Sequence, residues 1–68
     1  MPTTIDTRYF DSLASAIRCL KDLGFTYWRK DEIRGSIYRN GLAFAVLFPA
    51  ETVNGLTCWG VDMPRPYH

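Results

Sequence analysis

The chain has 68 residues, 47% hydrophobic, 15% aromatic and 22% charged, which is the balance of a folded protein. Eight Lys and Arg against seven Asp and Glu leave a net charge of +1, too near neutral for strong nonspecific binding to nucleic acid or a membrane surface, and unlike an acidic DNA mimic. A chain this short is expected to form a single domain over 1–68, burying only about 60% of its unfolded surface, so a staple or a partner would add much.

The start, Met1-Pro2-Thr3-Thr4-Ile5-Asp6, has neither a basic nor an apolar signal region. No signal peptide and no membrane span are expected, which points to the cytoplasm, that of a host cell if the chain is phage-encoded. Thr3 to Ile5 can add a short edge strand. From about Thr7 to Leu23 the period is helical: Phe10, Leu13, Ala16, Ile17, Leu20 and Leu23 form one stripe. Asp11, Ser12, Ser15, Arg18 and Asp22 fall opposite. Asp6 or Thr7 suits the N-terminus, and Gly24 can take the left-handed conformation that stops the helix.

From Phe25 the period becomes two. Phe25 to Lys30 and Ile33 to Tyr38 read as strands joined by a polar Asp31-Glu32 turn. Asn40-Gly41 predicts a two-residue hairpin turn, with both residues at positive φ. Leu42, Phe44, Val46 and Phe48 share one side of the next strand, which Pro49 ends. After a loop to Gly55, Leu56, Cys58 and Gly60 alternate with Thr57, Trp59 and Val61. Pro64 and Pro66 predict an extended tail from about residue 63. The fold class is therefore α+β: one N-terminal amphipathic helix on a three- to four-stranded antiparallel sheet, with β-α-β-β-β as its fuller form. Ile33, Ile37 and the Leu42-to-Phe48 set are expected to face the helix, being the only match to its stripe. That sends Trp28, Lys30, Arg34, Tyr38, Leu47, Trp59 and Val61 to a side that no second helix covers.

Little in the sequence suggests chemistry. His68 is the only histidine and ends the chain, a poor place to hold a general base. Cys19 and Cys58 are expected as buried free thiols, with a disulfide between them as the alternative. Two cysteines and one histidine match no zinc spacing, and no glycine-rich phosphate loop is present. The chain reads as a non-enzyme, with no catalytic residues, no metal and no cofactor.

Two partial resemblances add to this. Leu20-Lys21-Asp22-Leu23-Gly24-Phe25 with Arg34-Gly35-Ser36-Ile37-Tyr38-Arg39 resembles the toxin half of HicA-type toxin–antitoxin pairs, which cleave RNA with a strand histidine. Ile37 stands where that histidine would be, so the resemblance implies no nuclease. Thr4-Ile5-Asp6-Thr7, Ala16-Ile17, Leu23-Gly24-Phe25 and Ile33-Arg34-Gly35 are similar to a family of small proteins from chloroplast, cyanobacterial and phage genomes. That similarity implies a strand before the helix and no activity.

Tryptophan, tyrosine and arginine are the residue types enriched at binding hot spots. Trp28, Lys30, Arg34, Tyr38 and Trp59 are thus the expected partner-binding residues of a protein-binding module. By general type, a tiny stand-alone module of this kind looks like a phage-encoded inhibitor of host defence, such as an anti-CRISPR protein, occluding a host protein or ribonucleoprotein complex. The alternatives are a small RNA- or DNA-binding domain, with Lys30, Arg34 and Arg39 on phosphates, or a structural homodimer rather than a monomer.

Overall fold

The structure, a computed structural model, describes residues 5–64. In chain order it contains β1 (Ile5–Phe10), α1 (Leu13–Asp22), β2 (Thr26–Asp31), β3 (Gly35–Asn40), β4 (Ala43–Glu51) and β5 (Thr57–Pro64). The five strands form one sheet in the order β1-β5-β4-β3-β2, every neighbouring pair antiparallel. The α+β class is as expected. A leading strand is present over Ile5–Phe10 rather than Thr3 to Ile5, Thr3 and Thr4 lying outside the described residues, and the chain has one strand more than β-α-β-β-β.

The helix starts six residues later than its periodicity suggested. Thr7 to Phe10 belong to β1, paired in register with β5 from Thr7↔Asp62 to Phe10↔Trp59. Phe10 meets both patterns: in a strand it alternates onto the helix side, where it packs against the core. Ser12, extended at φ −130°, is the N-cap; its Oγ accepts from the Ser15 N–H at 3.2 Å. The other end is a Schellman motif. Phe25 N–H donates to Leu20 O and Gly24 N–H to Lys21 O, both at 2.9 Å, with Gly24 at φ +85°. Leu20 and Phe25 are both fully buried, which is the apolar contact that accompanies this cap.

The β3–β4 hairpin is displaced by one residue from the expected turn. Asn40 pairs with Ala43, so Gly41 (φ +60°) and Leu42 form the turn, glycine first, as in a type II′ hairpin. The Asn40 side chain is thereby free to bond elsewhere. Its Nδ2 donates to the Leu23 carbonyl at 3.1 Å, tying the sheet to the helix end. Pro49 does not end its strand, which runs on to Glu51. The β3–β4 register begins at Ser36↔Leu47, so β3 no longer flanks β4 at Pro49 and a missing donor is tolerated there. Likewise β5 continues to Pro64 with Met63 1% exposed, so residue 63 is core rather than the start of a tail. Residues 65–68 lie outside the described residues.

The core lies between α1 and one face of the sheet: Ala16, Leu20 and Phe25 against Tyr38, Ala45, Leu47, Val61 and Met63, with Phe10, Ile17, Cys19, Leu23, Ala43 and Trp59 packed around them. This overturns the expected orientation. The set Tyr38, Leu47, Trp59 and Val61 does share one face, but that face is under the helix; Ile37, Phe44, Val46 and Phe48 are on the other. Ile33 is on neither: it sits in the β2–β3 turn and is 95% exposed. Leu13, expected in the core, is half-exposed. Both faces are apolar, so hydrophobicity alone could not choose between them. The connection chooses instead. Four antiparallel steps make β1 and β2 parallel strands at opposite edges, and the hand of a strand–helix–strand crossover sets which face its helix takes, with α1 lying against β1 and β5.

Candidate functional site on the open sheet face

Among the described residues nothing covers the face opposite α1. Its centre is apolar. Ile37 and Val46 are paired across β3 and β4, and Phe48 is paired with Gly60. A Cβ at Gly60 would fall inside the Phe48 ring, so the ring lies flat across the glycine. The β5 and β1 side of the face is polar: Thr7 Oγ1 donates to the Asp62 carboxylate across the β1–β5 pair.

The most built part of the face is at β2. Tyr27 pairs with Tyr38 and Arg29 with Ile37, leaving Trp28 as the extra residue of a β-bulge. The bulge resets the alternation. Tyr27 falls on the helix side, with its ring edge-on to Tyr38 at 5.6 Å, while Trp28 turns to the open face and packs against Phe44, the rings tilted by 42° with centroids 5.5 Å apart. The Arg29 and Arg39 guanidiniums lie 5.1 and 5.5 Å from the Trp28 ring centroid. Such cation–π contacts hold the indole in place. Trp28 remains 43% and Phe44 47% exposed. Among the described residues no carboxylate is within ion-pair distance of Arg29 or Arg39; the ion pair present is Arg8 to Asp6, at 4.0 Å.

The expected site residues are therefore not brought together. Trp28 is on the open face. Tyr38 is buried under the helix, where burial, then neighbouring Tyr27, raises its pKa above the usual tyrosine value. Trp59 is on the helix side, packed against the core. Lys30, paired with Ser36, is also on the helix side, separated from Trp28 by the bulge. Arg34 is in the β2–β3 turn. There the Asp31 carboxylate accepts from Arg34 N–H at 3.0 Å and Ile33 N–H at 2.8 Å, which lowers its pKa and occupies it as a turn cap. The residues that join Trp28 instead are Arg29, Arg39 and Phe44. Arg39 and Phe44 pair because the turn is at Gly41-Leu42, whereas the expected Asn40-Gly41 turn sets Arg39 against Leu42; the bulge leaves no mark in the sequence.

Cys19 on the helix and Cys58 on the opposite sheet face are both free thiols. No helix among the described residues is long and apolar enough to cross a membrane. Compared with protein-family profiles, curated proteins and solved structures, the chain matches none.

Proposed function

We propose that this chain is a non-catalytic protein-binding module that docks through its open sheet face, with Trp28 as the anchor. The observation that carries this reading is the Trp28 cluster: a half-exposed indole in contact with two arginines and with Phe44. Aromatic and arginine side chains dominate binding energy when a partner desolvates them, and the contacts among these four restrict their rotamers before binding. Partly exposed Val46 and Phe48 extend the surface across the sheet, with Ile37 buried between them and the Trp28 cluster. Two exposed arginines, neither within ion-pair distance of a carboxylate among the described residues, favour an acidic complement on the partner.

Blocking a surface on a larger host protein or ribonucleoprotein complex, as an anti-CRISPR inhibitor does, is the form of this activity that an open sheet face suits. It needs one rigid face and no chemistry. Base stacking on Trp28 and Phe44 is the competing use of the same residues. The Asp62 carboxylate on the face and the two-cation limit at Trp28 weigh against a phosphate chain crossing it.

The test is capture from a candidate host lysate, followed by binding measurements on the identified partner. Trp28→Ala and Phe44→Ala should stay folded by circular dichroism and weaken binding by about 2 kcal/mol or more for the tryptophan. Folded variants that bind at full strength would move the site elsewhere. A nucleic-acid partner with a steep salt dependence would replace protein binding by the stacking reading.

A further inference from the structure

The two edges of the sheet are built differently. β2 is interrupted by the Trp28 bulge and carries exposed Arg29 and Lys30, the features that keep another strand from adding to an edge. β1 pairs with β5 through six consecutive residues without a bulge, and its outer side is flanked by no other strand among the described residues. An unbulged outer edge is a template for one more strand.

We propose that this strand is β1 of a second copy, paired antiparallel about a two-fold axis through Thr7. Charge complementarity within β1 itself selects that register. Asp6 and Arg8 share one face of the strand, two residues apart, with 27% and 41% of their side chains accessible. In antiparallel pairing centred on Thr7, Asp6 of each copy lies opposite Arg8 of the other, so opposite charges meet twice. Centring the pair on Asp6 or on Arg8 would set like charges directly against each other, which is destabilising. Tyr9, at 63% the most exposed aromatic among the described residues, is on the same edge and would lose exposure. This pairing is independent of the Trp28 site but bears on its use. The two open faces would join into one ten-stranded surface, with Trp28 clusters at its far ends roughly 40 Å apart by strand spacing, so a repeated partner would be held at both ends.

Light scattering on the whole chain, with circular dichroism to confirm folding, tests this. The wild type should have twice the monomer mass. Asp6→Arg alone sets the new arginine against Arg8 of the other copy, and Arg8→Asp alone sets carboxylate against carboxylate; each should be monomeric. Mixed in equal amounts, the two folded monomers should form a heterodimer, because arginine opposes aspartate at both positions, and the double variant should regain the homodimer. An unfolding artefact cannot produce that recovery. A wild type that stays monomeric up to high micromolar concentration overturns the proposal. So do single variants that remain dimeric, which would assign the contact to another surface, or a mixture that fails to pair.

Discussion

Gly60 has no side chain where the Phe48 ring lies, and Gly60→Ala should therefore force that ring off the sheet, costing about 1–3 kcal/mol of stability in denaturant melts. Unchanged stability would mean that the ring moves away freely. The two tryptophans should also separate cleanly. Trp59 packs on the core, and its truncation to Ala should cost about 3–5 kcal/mol less the part already exposed, whereas Trp28→Ala should cost well under that. Equal losses would contradict the placement of Trp28 on the open face. Tyr38 makes a prediction about pH. Its folded pKa is raised, so its contribution to stability is complete below the unfolded value of about 10 and is lost as pH rises through the folded value. Tyr38→Phe should flatten that alkaline fall in stability, and an unaltered pH profile would assign the fall to other groups.

At the scale of elements, α1 is short and depends on its ends and its burial, since isolated helices of this length are marginal. Ser12→Ala should lower stability by about 1 kcal/mol through the lost cap. Leu20→Ala, at a position with no exposure, should lower it by about 2–5 kcal/mol, a large share of what so small a domain has. The β3–β4 hairpin distinguishes its two turn residues. Gly41→Val should destabilise strongly because φ is +60° there, while Leu42→Ser should be nearly neutral at 98% exposure. Thermal melts in which Leu42 proved the costlier site would return the turn to Asn40-Gly41. Asn40 would then no longer be available to bond the Leu23 carbonyl.

Across the described residues, the sheet is apolar on both sides and has one helix. Alanine substitution along β4 reads out that asymmetry directly. Leu47, 4% exposed beneath α1, should be far costlier to truncate than Phe44, 47% exposed on the other side, although phenylalanine is the larger residue. The reverse ranking in equilibrium melts would put the helix on the opposite face. An apolar face left open on a small domain is a common mark of a binding surface. Here it is organised by the Trp28 bulge rather than spread evenly over the sheet.

Local physics was enough to read much of this protein from its residues alone. The helix stripe of Ala16, Ile17 and Leu20 and the Gly24-Phe25 stop follow from period and capping, because both are set by neighbours within one or two turns. The grouping of Tyr38, Leu47, Trp59 and Val61 on one side, and of Ile37, Phe44, Val46 and Phe48 on the other, follows from strict alternation. Three features required the tertiary structure. The extent of β1 was decided by its β5 partner, since Phe10 satisfies a helix and a strand equally well. The Trp28 bulge depends on how β2 and β3 register, and it separates Trp28 from Lys30. The choice of the covered face was made by the crossover from β1 to β2, because two apolar faces leave hydrophobicity with no preference between them.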